Sequence, residues 1–392
     1  MHSWTAERLA SYTESVFEEI AALARRYDAV NLGSGTPDSP PPVPLQAALS
    51  EAVVAGHNQY APVPGEAILR EAVAAHSARF YGHQVDPATE VSITSGATEA
   101  MHAALLSFVD PGDEVIVFEP FYDCYVPGIQ MAGGIPVPIT LHAPSFRFDP
   151  DELRNAFSSR TRALILNTPH NPTGTVFSKS ELALIAELCL EFDVLAITDE
   201  VYEHIVYDGA HHVRLATLPG MRERTLTLGG AGKTFSCSGW RIGWAIGSAP
   251  LHGALSRLRQ FTVFAAPTPA QFAIAAGLRL PDAYFHELAV EYQARRGILT
   301  EALAASNLTP NRPGGSFFVL VDIASSTSAG GRQFCHDMAR DVGVAPCPMD
   351  TFYLNGHLGE RLVRFTFCLS RGKLETAVRR LTKMRPVCQV AQ

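Results

Sequence analysis

Lysine is rare in this chain, and one of its four lysines stands in a setting that suits covalent chemistry. Lys233 lies in the run Gly229-Gly-Ala-Gly-Lys-Thr-Phe-Ser236, directly after a predicted strand. The run is not a Walker A phosphate loop, because the first glycine of that loop would fall on Thr227. A partly buried lysine amine has a lowered pKa and becomes a nucleophile. Lys233 is therefore predicted to form a Schiff base with an aldehyde.

Two stretches next to predicted strand ends have groups that can bind an anion. Strand Val91–Thr94 is followed by Ser95-Gly96-Ala97-Thr98, where a glycine lets the backbone approach an anion and a helix start supplies free N–H donors. Taken alone, such a stretch is more often an ordinary strand-to-helix turn. Beyond Lys233, the hydroxyl of Ser236 and the guanidinium of Arg241 can hold a phosphate.

Two further strand ends carry polar side chains that need a partner. Asp199 follows the buried strand 194–198, where an unpaired carboxylate is costly, so it needs a cationic partner. Capping a helix is the alternative role for Asp199. Tyr202, three residues later, is expected near the same rim. Asn171 lies between two X-Pro bonds that fix the backbone after strand 163–167 and are compatible with a cis bond, so its amide can face a ligand; a plain turn is the alternative.

A single aldehyde cofactor with a phosphate and a pyridine ring explains these residues together. Its aldehyde would bind Lys233, and its ring nitrogen needs a carboxylate, Asp199, to stay protonated and accept electrons. Its phenolic oxygen needs hydrogen-bond donors, for which Asn171 and Tyr202 are the candidates. The residues left for its phosphate are Gly96, Ala97, Ser236 and Arg241.

The elements that must position these residues alternate between helix and strand. Apolar residues spaced three and four apart predict helices, and short apolar runs predict buried strands. The predicted helices cover 7–26, 45–55, 68–81, 98–108, 124–133, 180–192 and 284–306. The predicted strands cover 91–94, 114–118, 163–167, 194–198, 225–228, 244–247 and 361–367. In an open sheet of this kind, ligands bind beyond the carboxyl ends of the strands.

The predicted fold class is α/β, with a mainly parallel seven-stranded sheet between helices in a large domain and a smaller α+β domain. The length of 392 residues fits such a pair of domains. We expect residues 1–45 to form an arm that joins the small domain. Residues 46–283 would form the large cofactor-binding domain, and residues 284–392 the small domain.

Composition excludes several classes of function. The 31 basic and 39 acidic side chains give a net charge of −8, which disfavours nucleic acid and anionic membranes as partners. The apolar runs are too short to cross a bilayer, and residues 1–10 have no apolar signal segment, so a cytoplasmic location is expected. The seven scattered cysteines, Cys388 included, predict neither a disulfide framework nor a zinc knuckle, and no histidine motif indicates a metal centre.

The order of these motifs resembles the class I/II aminotransferases of the fold-type I pyridoxal-phosphate superfamily. In pattern the chain is most similar to the branch of kynurenine aminotransferases and glutamine transaminases. The resemblance runs in order from about residue 28 to residue 385. It rests on Asn31-Leu-Gly-Ser-Gly-Thr-Pro-Asp38, Gln59–Gly65, Ser95–Ala100, Pro111–Asp123, Asn167–Gly174, Thr198–His204, Ala231–Ser236, Gly239–Trp244 and Val363–Phe367.

The resemblance implies a pyridoxal 5'-phosphate enzyme in which Lys233 binds the aldehyde and then moves a proton at the substrate Cα. Asp199 would pair with the ring nitrogen, and Asn171 and Tyr202 would hold the phenolic oxygen. The remaining implied residues are Thr98 at the cofactor, Tyr122 stacked on the ring with Phe121 as the alternative, Arg364 on the substrate carboxylate, and Gly35 and Asn171 on the substrate side. Tyr60 would reach the phosphate of a neighbouring subunit, which implies a homodimer with shared active sites.

Three departures from the family pattern leave the reaction and the substrate open. Gly230 stands where a phosphate-binding serine is usual, Ala265 replaces a histidine, and Ser316 replaces a tyrosine. From the resemblance we predict transamination between an L-amino acid and a 2-oxo acid. The three departures indicate a substrate from specialised metabolism. The main alternative is a lyase or a carbon–carbon-bond-forming enzyme that uses β- or γ-elimination, for example on a sulfonium amino acid such as S-adenosylmethionine. A catalytically idle regulatory protein is the third hypothesis.

Overall fold

The computed structural model describes residues 4–10, 12 and 14–383. Cys388 and the outer ends of the predicted arm and small domain, at 1–3 and 384–392, lie outside these residues. In chain order the longer elements are α1 Val16–Arg26, β1 Val30–Asn31, α2 Val43–Val54, α3 Ala67–Tyr81, β2 Val91–Thr94, α4 Ala97–Phe108, β3 Glu114–Glu119, α5 Tyr125–Met131, β4 Ile135–Thr140, α6 Pro150–Ala156, β5 Thr161–Asn167, α7 Lys179–Glu191 and β6 Leu195–Asp199. They continue as β7 Thr225–Gly230, α8 Ala231–Thr234, β8 Gly243–Ile246, α9 Ala249–Arg259, α10 Thr268–Leu278, α11 Asp282–Ala305, β9 Thr309–Pro310, β10 Phe318–Asp322, α12 Gly331–Asp337, β11 Val344–Ala345, β12 Cys347–Pro348, β13 Leu362–Thr366 and α13 Arg371–Leu381.

The large sheet has seven strands in the order β2-β8-β7-β6-β5-β3-β4, which confirms the predicted fold class. Strands β3 to β7 pair in parallel, whereas β8 runs antiparallel to both β2 and β7, so the sheet is mixed. The sequence prediction missed β4, which contains Pro136 and Pro138. Proline cannot donate to a strand ladder, and β4 accordingly lies at the edge of the sheet.

A second, antiparallel sheet has the order β12-β13-β10-β9. Near it, β1 from the amino-terminal segment pairs in parallel with β11, through Val30 against Val344. This pairing is compatible with an arm that joins the small domain. The division at residues 45/46 and 283/284 stays a prediction, and its second boundary falls within the first turn of α11.

The first predicted helix is shorter than expected. The sequence pattern predicted a helix over 7–26, but the α-helix begins only at Val16, and Glu7–Leu9 forms a separate 3-10 turn. The reason is Ser15, whose hydroxyl accepts a hydrogen bond from the backbone N–H of Phe17 and so caps the helix start. The later start places Phe17 at the first turn of α1, where it faces the site described below.

The carboxyl ends of the parallel strands meet at one edge of the large sheet. Asn167 is the last residue of β5 and Asp199 the last of β6, and the two are paired neighbours in the sheet. Lys233 follows β7 in the four-residue helix α8. Among the described residues, no helix is both long and apolar enough to span a bilayer.

Candidate active site

A cavity of about 280 Å³ opens at this edge of the sheet. All but two of the predicted site residues line it, and the two exceptions are Ser236 and Tyr60. The predicted residues that line it are Gly35, Gly96, Ala97, Thr98, Tyr122, Asn171, Asp199, Tyr202, Lys233, Arg241 and Arg364. Three parts of the fold therefore meet at this cavity: strand ends of the large sheet, the start of α4, and β13 of the second sheet.

Lys233 is partly buried, and its amine has few partners. Its Nζ donates a hydrogen bond to the carbonyl oxygen of Gly35 at 2.7 Å and lies 5.7 Å from the centre of the Phe317 ring. Burial lowers the pKa of Lys233, and the positive charges of Arg364 and Arg241 lower it further. A lower pKa raises the share of the neutral amine, which is the form that attacks an aldehyde or accepts a proton.

The carboxylate of Asp199 is buried without a cationic partner in hydrogen-bond contact among the described residues. Tyr125 donates a hydrogen bond to its Oδ2 at 2.7 Å, and the backbone N–H of Val201 donates to its Oδ1 at 3.3 Å. Burial raises the pKa of Asp199, and these hydrogen bonds and the charge of Lys233 oppose that rise. Turns rather than a helix follow Asp199, so the helix-cap alternative is wrong. A carboxylate in this setting gains most from a positively charged ring nitrogen.

The start of α4 and Arg241 form the cationic end of the cavity. Gly96 has φ +83° and precedes Ala97, the first residue of the helix. A Cβ at Gly96 would lie only 2.7 Å from Nη2 of Arg241, so glycine is what allows the guanidinium to approach the helix start. Arg241 donates to the carbonyl oxygens of Ser238 and Ser95, and it has no carboxylate partner among the described residues. This end of the cavity suits a phosphate.

Asn171 and Tyr202 lie on the remaining side of the cavity. Both X-Pro bonds of this segment, Thr168–Pro169 and Asn171–Pro172, are cis. Asn167, which the sequence analysis did not assign, accepts the backbone N–H of Asn171 at 2.6 Å and donates to the carbonyl oxygen of Asp199 at 2.8 Å. It thereby connects the ends of two strands.

Arg364 is a buried guanidinium with an incomplete set of partners. It is 1% exposed, and it donates to Oδ1 of Asn171 at 2.9 Å and to the carbonyl oxygen of Gly33. Its Nε is buried and has no hydrogen-bond partner, and the rings of Phe318 and Phe17 lie 4.3 and 5.1 Å from its guanidinium carbon.

Comparison with the other fully buried arginines shows what Arg364 lacks. Arg214 pairs with two glutamates and Arg259 with one, at distances of 2.8 to 3.0 Å. Arg364 has no ion pair among the described residues, although a buried charge is costly unless it is paired. A carboxylate that enters the cavity would supply the missing partner.

Two predicted residues and two of the three departures lie away from the cavity. Ser238 rather than Ser236 lines it, and Ser236 has a left-handed φ of +52°. Tyr60 is 84% exposed and packs edge-on against Phe264 at 5.4 Å. The roles of Ser236 and Tyr60 at the cofactor therefore stay predictions.

Of the three departures, Gly230 lines the cavity, and Ala265 and Ser316 do not. Ser316 is fully buried and has a left-handed φ of +56°, and Ala265 lies in the loop after α9. A Cβ at Gly230 would meet only Val201 at 3.4 Å and Ala97 at 3.8 Å. Among the described residues, no other side chain therefore fills the position that the usual serine side chain would take.

The sequence analysis missed several residues that line the cavity. Phe17 and Phe318 form an apolar wall beside Arg364, and Tyr125 holds Asp199. Tyr125 was within reach of sequence reasoning, because it lies three residues after Tyr122, near the start of the predicted helix 124–133. The two phenylalanines come from α1 and β10, so only the tertiary fold brings them together.

These residues match the groups of pyridoxal phosphate one by one. The cationic helix start fits its phosphate, Asp199 fits its ring nitrogen, and the amine of Lys233 fits its aldehyde. Tyr122 contributes an aromatic face to the same cavity. The fold and the site together define a fold-type I pyridoxal-phosphate enzyme.

Comparison with known proteins identifies the family. Residues 27–381 match the family model "Aminotransferase class I and II". The chain is 43% identical to a probable N-succinyldiaminopimelate aminotransferase from Mycobacterium tuberculosis, over 96% of this chain and 98% of the relative. It is 38% identical to a kynurenine–oxoglutarate transaminase from Dictyostelium discoideum, over 97% and 96%. Among solved structures, the methionine aminotransferase YbdL of Escherichia coli superposes with a TM-score of 0.94 at 36% identity, covering 97% of this chain and all of that chain.

The chain therefore belongs to the class I and II aminotransferases and is a pyridoxal-phosphate-dependent aminotransferase. The predicted family, cofactor and reaction class are confirmed. The relatives named here are aminotransferases, and nothing among them supports the lyase alternative.

Proposed function

We propose that this aminotransferase takes its amino group from L-amino acids with an uncharged, apolar or aromatic side chain. The observation that carries the proposal is the set of charges in the cavity. Among the described residues, three basic side chains line it, Lys233, Arg241 and Arg364. The cofactor engages the first two, so one guanidinium remains, enough for the α-carboxylate and not for a second carboxylate from the substrate.

The wall next to Arg364 supports the same substrate class. Phe17 and Phe318 line the cavity, and their rings lie 5.1 and 4.3 Å from the guanidinium carbon of Arg364. Aromatic walls favour apolar groups, and they leave a charged side chain without hydrogen-bond partners. The Escherichia coli relative, which is 36% identical, is a methionine aminotransferase, and methionine belongs to this class.

The proposed division of work among the residues follows from their positions. The cofactor supplies an aldehyde for the amino group and a ring that accepts negative charge from Cα. Arg364 holds the substrate carboxylate, and Asn171, which accepts a hydrogen bond from Arg364, orients that guanidinium. Asp199 stabilises a protonated ring nitrogen, and the amine of Lys233 carries the proton to and from Cα.

Replacement of Arg364 by lysine is expected to lower kcat/KM for every amino acid by about 10- to 100-fold. Lysine keeps the positive charge but loses the fork that binds a carboxylate at two points, which is worth roughly 1.5–3 kcal/mol. Cofactor content, measured from the visible spectrum, is expected to stay unchanged. Arg340→Lys, at an exposed arginine, is the matched control. Normal turnover by the Arg364→Lys protein would remove Arg364 from the substrate site.

Substrate class is tested by comparing methionine and phenylalanine with aspartate as amino donors. We expect kcat/KM for aspartate to be at least about tenfold lower, because its second carboxylate has no cationic partner in the cavity. Equal or better use of aspartate would refute the proposed substrate class and leave the reaction class intact.

We also propose that the active enzyme is a cytoplasmic homodimer with shared active sites. Tyr60 is 84% exposed, and the nearby side chains of Phe261 and Phe264 are 83% and 43% exposed. Exposed aromatic clusters of this kind are typical of an interface. The six described cysteines are free, which fits a reducing compartment. A substrate from specialised metabolism stays a prediction.

Shared sites predict that two defective proteins complement each other. Tyr60→Phe is expected to weaken retention of the cofactor in the neighbouring site, and Lys233→Ala to inactivate its own site. In a mixed dimer, one site combines the intact Lys233 of one subunit with the intact Tyr60 of the other. Mixing the two variants at a limiting cofactor concentration should restore activity above the sum of the separate proteins. No gain, or full activity in a protein that sediments as a monomer, would contradict shared sites.

A further inference from the structure

A second cluster of ligating side chains lies outside the active-site cavity. It contains His76 on α3 and Glu203 and His204 in the turns after β6. The Nε2 atoms of the two histidines are 2.7 Å apart, and one ligand atom from each residue lies within 4.8 Å of the others. His76 is 4% and Glu203 6% exposed. The proposed amino-transfer function uses none of the three.

Buried charged side chains surround the cluster. Glu200 and Glu203 both lie beside one buried guanidinium, that of Arg214, at 3.0 and 2.8 Å. Glu203 therefore shares its guanidinium partner with a second carboxylate.

The other basic side chains near the cluster pair elsewhere. Arg79 on α3 pairs with Asp282, and His212 makes its contact at 2.9 Å with Glu200 rather than with Glu203. Arg214 donates to Oε2 of Glu203, and the hydroxyl of Tyr81 also hydrogen-bonds this side chain, so an ion would share the carboxylate with both. Two imidazole nitrogens and one carboxylate oxygen form a donor set that zinc and related ions prefer.

We infer that His76, Glu203 and His204 form a binding site for a divalent transition-metal ion of the Zn²⁺ type. Tetrahedral coordination at about 2.0–2.1 Å needs the two Nε2 atoms about 3.3 Å apart, so the rings have to separate by about 0.6 Å. The ion would tie α3 to the segment that also carries Asp199 and Tyr202. The competing explanation is a simple N–H···N hydrogen bond between the two histidines.

The test uses untagged holoprotein, treated with a chelator and titrated with Co²⁺. Tetrahedral Co²⁺ absorbs visible light, Zn²⁺ displaces it, and the metal content per chain is measured after desalting. The variants are His76→Gln and His204→Gln, each checked for the native circular dichroism and cofactor spectrum. The matched control is His142→Gln, at an exposed histidine that pairs with Glu152.

We expect one tightly bound ion per chain and a rise in Tm of a few degrees in Zn²⁺ for the wild-type and control proteins. Either ligand variant should weaken binding by at least about tenfold and lose the rise in Tm. The inference is wrong if the wild-type protein binds no stoichiometric ion, or if both ligand variants bind as tightly as the control. Because metal content and Tm are measured without substrate, this result is independent of the proposed function. If one variant does not fold, the wild-type titration and the other variant still decide.

Discussion

Replacement of Lys233 by alanine is expected to abolish the covalent bond to the cofactor and to lower kcat by about 10⁴-fold, the upper end for losing a proton-transfer group. The amine lies in the cavity, and burial together with the charges of Arg364 and Arg241 lowers its pKa. Within the part of the chain that the structure describes, no other lysine lines the cavity. The phosphate contacts of the helix start and Arg241 are unaffected, so non-covalent binding of the cofactor should persist.

The measurement is reduction with borohydride followed by peptide mass analysis. Wild-type protein should carry the reduced cofactor on Lys233, and the variant should carry none. Lys179→Ala is a suitable control, because Lys179 is exposed at the start of α7. A reducible bond that survives in the Lys233→Ala protein would show that another lysine binds the cofactor.

Replacement of Asp199 by alanine is expected to lower kcat by about 10²- to 10³-fold, comparable with the loss of a preorganised electrostatic contact. Without the carboxylate, the ring nitrogen loses the charge that keeps it protonated. Tyr125→Phe is a milder variant for comparison, because it keeps the carboxylate of Asp199 and removes only the 2.7 Å hydrogen bond to it. Because a hydrogen bond to a charged group is worth about 1.5–3 kcal/mol, we expect a smaller loss of about 10- to 100-fold.

The readout is the single-turnover rate with a saturating amino acid, together with the pH dependence of the cofactor absorbance. Both variants should shift that pH dependence, and Asp199→Ala more than Tyr125→Phe. An Asp199→Ala protein within tenfold of the wild-type rate would show that the carboxylate has only a structural role.

Much of the large sheet could be predicted because its strands are short, buried apolar runs that end in polar residues. Asp199 and Asn171 were recognised on that ground, and both line the cavity. Strand β4 was not predicted, because its two prolines interrupt the sequence pattern of a strand. An edge strand tolerates such prolines. The helix over 7–26 was predicted too long, because apolar spacing does not reveal that Ser15 caps a later start.

The environment of the charged groups could not be predicted from the sequence. The cation predicted for Asp199 is the ring nitrogen of the cofactor, and the additional contact from a tyrosine hydroxyl of α5 was not predicted. The unpaired state of Arg364 depends on α1, β10 and β13 meeting around it, and α1 lies far before the other two elements in sequence. Spacing along the chain identifies residues at strand ends but not which other side chains reach them.

The most direct test of amino transfer is a half-reaction with holoenzyme and one amino acid, methionine, with no 2-oxo acid present. Transamination predicts a single turnover: each active site forms one equivalent of the 2-oxo acid, the cofactor spectrum changes once, and no ammonia is released. Addition of a 2-oxo acid should then restore the original spectrum. Continuous formation of products with release of ammonia, or no spectral change with any amino acid, would contradict the assignment of this enzyme as an aminotransferase.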